Sequence, residues 1–177
     1  MTEQVLVKKL KRKDEAAYEE IVNTYANKLF KVCYLMLKDE KEAEDVVQET
    51  FIKVFKNIAS FRGESSIYTW IYRIALNISR DVIRKRQEVL SFEDEWIGEE
   101  DVEEKVEESI DREVLRRSLK SLNPIYRECL ILYYFEDLSI REISQILDES
   151  EGTIKSKLSR GRKLLKNSLE KGGQFNE

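Results

Sequence analysis

The sequence lacks histidine altogether, and its 177 residues include only one proline, six glycines and two cysteines. The absence of histidine excludes the usual catalytic triads, histidine-ligated metal sites and the commonest general base. Cys33 and Cys129 lie far apart and form no CxxC pair, so they support neither a disulfide framework nor a zinc site. We expect both to pack in the core, and the scarcity of glycine and proline favours helices over turn-rich sheets.

Long apolar runs and a signal peptide are also missing, so we expect a cytoplasmic protein that is not inserted in a membrane. The net charge of −4 hides a strong segregation of charge. Residues 88–111 hold twelve acidic residues and one basic residue, whereas residues 150–177 hold seven basic and three acidic residues. Such asymmetry says more about binding partners than the total charge does.

Hydrophobic periodicity predicts an all-α chain in which two small helical domains are joined by an acidic flexible linker. The first domain covers residues 1–88. Its first helix is expected to end near Lys13. The second is expected to run from a cap at Asp14 to about Lys38, and the third to cover residues 40–57. The last one runs from a cap at Ser65 or Ser66 to about Arg86.

The linker covers residues 89–111, and its few apolar residues, such as Phe92 and Trp96, could dock elsewhere on the protein. The second domain covers residues 112–177. Asn123 and Pro124 are typical of an N-cap followed by a first helical residue, and Ser139 is placed to cap the next helix.

Residues 138–165, LSIREISQILDESEGTIKSKLSRGRKLL, have the apolar spacing of two helices joined by a tight turn, which predicts a helix-turn-helix. One arc of the last helix is apolar, and the opposite arc is positive and rich in hydrogen-bond donors. A recognition helix needs such a face to reach base edges and phosphates in the major groove. The alternative is a solvated helix with a basic face. The positive arc carries Lys155, Ser156, Ser159, Arg160, Lys163, Lys166 and Asn167.

Residues 65–86, SSIYTWIYRIALNISRDVIRKR, form a second pattern, in which aromatic and basic side chains share the outer face of a helix. Exposed aromatics next to arginines suit single-stranded nucleic acid, because rings stack on unpaired bases and guanidinium groups hold the backbone. The alternative, given equal weight, is that the tyrosines pack against a neighbouring helix and the arginines are only solvated. The outer face carries Tyr68, Tyr72, Arg73, Asn77, Arg80 and Arg84.

Residues 40–57 form a third pattern, with an outward Ile52 inside a polar ring made by Asp45, Gln48, Glu49 and Lys56. An apolar centre with a charged rim resembles a protein interface, although single exposed isoleucines are common on monomers. The two acidic residues of the ring could also suggest a metal or acid-base site. No third ligand or histidine supports that, so we expect no metal, no cofactor and no catalysis.

Three segments, AEDVVQETFIKVFKN, FRGESSIYTWIYRIALNISRD and LSIREISQILDESEGTIKSKLSRGRKLL, resemble in this order and spacing the extracytoplasmic-function (ECF) sigma factors of the sigma-70 family. The resemblance extends from about residue 14 to 169. It implies that residues 1–88 are sigma region 2 and that residues from about 112 to 171 are sigma region 4. It also implies a transcription initiation factor that directs core RNA polymerase to promoters.

The resemblance further implies a role for each outward position. The polymerase-binding residues, which would contact the clamp helices of the largest catalytic subunit, are Asp45, Gln48, Glu49 and Ile52. The residues that capture flipped minus-ten bases are Phe61, Arg62, Ser65, Tyr68, Tyr72, Arg73, Asn77 and Arg80. The residues that read the minus-thirty-five duplex are Thr153, Lys155, Ser156, Ser159, Arg160 and Lys163.

Other partners are implied in the same way: the flap of the polymerase, promoter DNA, and an anti-sigma factor, often membrane-bound, that would sequester a free monomer. The protein would be associated with the nucleoid when active. The acidic linker would thread polymerase channels that normally carry nucleic acid, by mimicking a phosphate chain. In the free protein it could instead fold against the basic DNA-binding faces.

Two positions depart from the family pattern. Asp148 stands in the turn where glycine is usual, and Ser144 stands where alanine is usual. Aspartate tolerates the left-handed backbone better than most residues, so we expect the turn to form. Ser159 is shorter than is common at its position, which leaves the minus-thirty-five preference open.

Two other classes of protein remain as alternatives. A conventional helix-turn-helix regulator would bind duplex DNA tightly without polymerase, as a dimer on two half-sites. The aromatic-arginine face argues against it, because duplex binding does not need one. A helical adaptor would bind only proteins, and the basic recognition face argues against that alternative.

Overall fold

The computed structural model describes residues 2–92 and 110–173, and within these two ranges every regular element is a helix. The expected all-α architecture is therefore confirmed. The eight α-helices are α1 Glu3–Lys11, α2 Glu15–Leu37, α3 Glu40–Asn57, α4 Ile67–Phe92, α5 Ile110–Lys120, α6 Pro124–Tyr134, α7 Ile140–Leu147 and α8 Glu151–Gly173, with a 3₁₀ turn at Ile58–Ser60.

In the first region, residues 2–92, side chains that cap helix N-termini mark where α2 and α4 begin. The Asp14 side chain accepts a hydrogen bond from the Ala17 backbone N–H at 3.0 Å and starts α2. The Ser66 hydroxyl accepts one from the Thr69 N–H at 3.1 Å and starts α4. A side-chain oxygen at this position satisfies a backbone donor that has no partner inside the helix. Both starts agree with the sequence prediction.

Helix α4 continues to Phe92, past its predicted end near Arg86. The sequence QEVLSF that follows Arg86 contains neither glycine nor proline, so no local signal stops the helix there. The acidic segment 93–109, including Trp96, and the side chain of Phe92 lie outside the described residues. The expected docking of this segment is therefore left as a prediction.

The second region, residues 110–173, contains the predicted helix-turn-helix, formed by α7 and α8. Ser139 and Glu142 make a capping box at the start of α7: the Glu142 N–H donates to the Ser139 hydroxyl at 3.3 Å, and the Ser139 N–H donates to the Glu142 carboxylate at 2.9 Å. Helix α7 ends at Asp148, which has a left-handed backbone with φ 57° and ψ 45°. The turn thus forms with aspartate in the left-handed conformation, as expected.

Close packing inside the second region depends on Gly161 in α8. A Cβ atom there would lie 3.3 Å from the Leu130 side chain and 3.4 Å from the Tyr126 Cβ, both in α6. Such distances are tighter than ordinary van der Waals contact. Glycine therefore lets α8 approach α6 closely and fixes the direction in which the outer face of α8 points.

The two regions pack on each other, with α4 against α7 and α2 against α5 and α6. The buried Arg127 of α6 joins them, since its guanidinium donates to the Met36 carbonyl in α2 at 2.6 Å. The same group donates to three carbonyls at the end of α5, those of Leu119, Lys120 and Leu122. Burial lowers the pKa of Arg127. One side chain thus satisfies helix-end acceptors from both regions.

Candidate nucleic-acid and polymerase interfaces

The outer face of α8 is open to solvent along its length. Its apolar arc, with Ile154, Leu158 and Gly161, is buried against the rest of the region. The six side chains expected to read duplex DNA are all exposed, and five of them line one shallow concavity that excludes only Thr153. They are Thr153, Lys155, Ser156, Ser159, Arg160 and Lys163.

The start of α8 is held in place by short-range polar contacts. The Ser150 hydroxyl accepts from the Thr153 N–H at 3.1 Å, and Lys157 lies 2.6 Å from the Glu149 carboxylate. Lys157 therefore belongs to the base of the turn and not to the outer face. These contacts fix the first two turns of α8, the part of a recognition helix that reaches base edges.

The eight minus-ten candidates do not form one open surface. Arg62 and Asn77 are exposed, whereas Ser65, Tyr68, Arg73 and Arg80 are half-buried. Phe61 and Tyr72 are buried, and Tyr72 has 0% of its surface exposed. Of the two alternatives, the one in which the tyrosines pack against neighbouring helices holds in this conformation, with Tyr68 half-buried and Tyr72 buried, because the second region covers the outer face of α4.

Tyr72 is held by a hydrogen bond to the second region. Its hydroxyl donates to the Glu136 carboxylate at 2.5 Å, and its ring centre lies 4.3 Å from that of Tyr68. Burial raises the pKa of both phenols, to about 12 for Tyr68, and the bond to Glu136 raises that of Tyr72 further. Only the neutral phenol can donate the bond to Glu136, so Tyr72 is protonated in this conformation.

The arginine stripe of α4 also meets the second region. Arg73 Nε donates to the Gln145 carbonyl oxygen at 2.7 Å, and its Nη2 lies 3.6 Å from Asp148. Arg80 Nε donates to the Glu128 carboxylate at 2.8 Å. Burial raises the pKa of Glu128, while Arg80 lowers it. The residues proposed to hold DNA backbone thus have protein acceptors in this conformation.

The loop before α4 is supported from beneath. The Phe61 ring packs against Trp70, with ring centres 5.2 Å apart, and the Phe61 carbonyl accepts from Lys11 Nζ at 2.7 Å. Gly63 has φ 75°, a backbone that glycine adopts at little cost. Arg62 is left at the exposed tip, 4.0 Å from Glu64.

The outer face of α3 agrees with the sequence prediction, since Asp45, Gln48, Glu49 and Ile52 are all exposed. Ile52 has 48% of its surface exposed, and Glu49 pairs with Lys53 at 2.9 Å. Phe55, with 36% of its surface exposed, enlarges the apolar centre and was not predicted from the sequence. Its spacing of three from Ile52 was the available signal.

A second apolar surface that the sequence did not indicate lies in region 4, between α5, α6 and α8. It is a groove of about 430 Å³. Two aromatic side chains at its edge, Tyr134 and Phe135, are 54% and 47% exposed. The groove is lined by Leu115, Leu130, Tyr134, Phe135, Arg162, Leu165, Lys166, Leu169 and Glu170. We call it the region 4 groove.

The described residues contain no group of three or more acidic residues or cysteines placed to hold a metal ion. Among the same residues, no helix is both long enough and apolar enough to cross a membrane.

Comparisons with known proteins agree with this arrangement. The family model for sigma-70 region 2 matches residues 21–89, and that for sigma-70 region 4 matches residues 112–165. The chain is 34% identical to the ECF RNA polymerase sigma factor SigW of Bacillus subtilis, over 92% of this chain and 94% of that one. It is 30% identical to the ECF RNA polymerase sigma-E factor of Haemophilus influenzae, over 96% of both chains.

Solved structures lead to the same fold. The sigma factor RpoE of Bartonella quintana, solved with the anti-sigma factor NepR, is 25% identical, with a TM-score of 0.72 over 86% of this chain and 96% of that one. CnrH, solved with the cytosolic domain of CnrY, has a TM-score of 0.72 at 20% identity, over 95% of this chain and 97% of that one. The chain belongs to the ECF sigma factors of the sigma-70 family.

Proposed function

We propose that this sigma factor binds core RNA polymerase through α3, reads the minus-thirty-five duplex with α8, and traps melted minus-ten bases with α4 and the loop before it. The observation that carries the proposal is the open outer face of α8, where all six side chains expected to read duplex DNA are exposed on a helix-turn-helix. No step requires catalysis by the chain. We expect it to act in the cytoplasm, where core polymerase transcribes.

Binding to polymerase would use the apolar centre formed by Ile52 and Phe55, with Asp45, Gln48 and Glu49 as its rim. Exposed apolar side chains inside a charged ring supply burial at the centre and register at the edge. The variant Ile52→Asp tests this in a competition assay for core polymerase. The matched control is Val5→Asp, because Val5 on α1 is 46% exposed and Ile52 is 48% exposed.

The region 4 groove is a second polymerase contact in this proposal. Its open apolar lining and the aromatic residues at its edge suit an apolar segment of the polymerase flap. An occupant there would leave the six duplex-reading candidates of α8 free, since none of them lines the groove. Both domains would then be spaced to span the two promoter elements, with the acidic linker between them.

Promoter opening would require α4 to leave the second region, because Tyr72 and Arg80 cannot contact DNA while they are bonded to Glu136 and Glu128. Binding of unstacked bases to the freed face would offset the few kcal/mol needed to unstack them. An anti-sigma factor would hold the protein inactive, as the complex of the similar RpoE with NepR suggests. Association with the nucleoid would follow from the DNA-bound state. Tethering at the membrane would follow from sequestration by a membrane-bound anti-sigma factor.

The test is run-off transcription with bacterial core polymerase on fragments of the host genome, with and without the protein. Discrete new start sites that share two upstream elements are expected. Arg160→Ala should weaken the dependence of transcription on the minus-thirty-five element. Tyr72→Ala should impair opening of the minus-ten region and leave binding to the minus-thirty-five duplex intact. Lys120→Ala, an exposed change on α5, serves as the control. If no transcript appears and the protein alone shifts specific duplexes, a conventional regulator is the correct assignment.

A further inference from the structure

Helix α1 carries a dense basic cluster to which the proposed function gives no role. Five of the six residues from Lys8 to Lys13 are basic. All five are exposed, and among the described side chains none of them has an acidic partner. Lys11 bonds to the Phe61 carbonyl, which leaves Lys8, Lys9, Arg12 and Lys13. We call these four the α1 basic cluster. It lies before residue 21, where the match to the region 2 family model begins.

The cluster lies beside the loop that precedes α4, because α1 is bonded to both ends of that loop. At one end, the Glu3 carboxylate accepts from the Ile67 N–H at 3.0 Å, at the first residue of α4. At the other end, Lys11 Nζ donates to the Phe61 carbonyl at 2.7 Å. Helix α1 therefore runs along the loop and supports it, and its surface continues that of the loop.

The direction of the cluster follows from helix geometry. Leu6 and Leu10 are buried and face the core. At 100° per residue, Lys8 and Arg12 lie on the opposite side of α1, next to the side that Lys11 presents to the loop. Lys8 and Arg12 thus face outward beside the loop, whose tip carries Arg62, while Lys9 lies further round α1 and Lys13 follows the end of the helix.

The helix dipole accounts for only part of this charge. Basic residues stabilise the last turn of a helix, and α1 ends at Lys11. Lys13, however, lies beyond that end with φ 60°, a backbone where glycine would be less strained. Cations so close together also repel one another, which a bound polyanion would relieve.

We propose that the α1 basic cluster binds the phosphate backbone of the DNA strand that passes the loop before α4, without reading its bases. The inference rests on the proposed function and adds a contact to it. Phosphate contacts by lysine and arginine release counterions, so they make binding salt-dependent and carry no direct sequence information.

The experiment uses holoenzyme assembled from core polymerase and the full chain, with a promoter fragment on which the wild-type protein has produced a start site. The variant combines Lys8→Gln, Lys9→Gln, Arg12→Gln and Lys13→Gly, and keeps Lys11 because it supports the loop. Glycine is chosen for the last position because of its positive φ. The affinity of the holoenzyme for the promoter fragment is measured across a KCl titration from roughly 50 to 200 mM.

The slope of log affinity against log salt should become less steep by roughly 0.7 for each phosphate of the single strand that the variant no longer neutralises, or about 3 in total. The decrease in affinity at fixed salt should be the same on fragments that differ in minus-ten sequence. Lys28→Gln with Lys31→Gln is the control, two exposed lysines about 20 Å or more along α2 from Asp14, and its slope should match the wild type.

An unchanged slope in the four-residue variant overturns the inference, whether or not its thermal stability falls. A decrease in affinity for core polymerase with an unchanged slope assigns the cluster to the polymerase and also overturns it. Failure of the proposed function is distinguishable, because then the wild-type protein would yield no start site on any fragment.

Discussion

The bond between Arg80 and Glu128 offers a direct test of how the packing of the two regions controls DNA binding. Arg80 Nε lies 2.8 Å from the Glu128 carboxylate, with side-chain exposures of 37% and 3%. The substitution Glu128→Gln keeps the shape of the side chain and an acceptor oxygen but removes the charge. Glu128 belongs to region 4 and is not one of the proposed DNA contacts, so the change leaves the proposed DNA-binding face of α4 intact.

Glu128→Gln is expected to weaken the packing of the two regions on each other by about 1 kcal/mol. Removing one partner of a buried pair costs about 3–5 kcal/mol, but Arg80 is more than a third exposed and water screens it. Glutamine also retains a neutral hydrogen bond, so the loss approaches the difference between a charged and a neutral bond. A change of about 1 kcal/mol lowers the ratio of packed to separated molecules roughly fivefold.

Energy transfer between dyes on the two regions measures this ratio. Asn27→Cys in α2 and Asn167→Cys in α8 provide exposed attachment points. The native thiols should react slowly, because both are buried and burial raises their pKa, to about 11 for Cys33 and about 12 for Cys129. Glu128→Gln should enrich the long-distance population and tighten binding of the free protein to single-stranded minus-ten DNA.

Two controls make the result decisive. Glu170→Gln removes an exposed carboxylate that lies 3.7 Å from Lys166, and it should leave the distances unchanged. In an Arg80→Gln background, Glu128→Gln should have little further effect, because its partner is already absent. The reasoning is refuted if Glu128→Gln shifts the distance distribution no more than Glu170→Gln does.

Three further predictions concern the stability of region 4. Hydrogen bonds from Ser139 lower the pKa of Glu142, so its stabilisation is present above about pH 4.5 and is lost as the pH falls through the lowered value; Glu142→Ala should cost about 0.5–2 kcal/mol at pH 7 and less at pH 3, measured by urea unfolding. Gly161→Val should cost about 1–3 kcal/mol in the same assay, because its side chain would overlap Leu130; a neutral result would contradict the close packing. Arg127→Met should cost about 3 kcal/mol or more, because it removes a donor from four carbonyls, of which that of Leu119 keeps the Leu122 N–H, and it should also increase the separated population in the energy-transfer assay.

Local signals in the sequence were sufficient to predict most of the helices. Asp14 and Ser139 each begin a helix, and Asp148 adopts the left-handed turn that its side chain tolerates. These features depend on neighbours within a few residues, so the sequence contains their cause. The same holds for the open face of α8, whose apolar arc is defined by helical spacing alone.

The position of Tyr72 could not be predicted in this way. Helical spacing places it on the outer face of α4, where a region more than sixty residues away along the chain docks and bonds to it through Glu136. The sequence did contain a weak signal for that docking. Arg127 and Glu128 are adjacent charges in the otherwise apolar helix PIYRECLILYY, where a charge needs a specific partner to be buried.

Under the proposed function, the outer face of α4 has two competing uses. Tyr72 would contact melted DNA, but while it is bonded to the second region it has no exposed surface, and Arg80 shares its guanidinium with Glu128. The apparent affinity of the free protein for minus-ten DNA is then its intrinsic affinity multiplied by the fraction of separated molecules. Core polymerase, by binding both regions at a fixed separation, would remove this penalty, whereas a partner that favours the packed form would increase it. A mutation at the packed interface should accordingly change DNA binding by the free protein more than DNA binding by the holoenzyme.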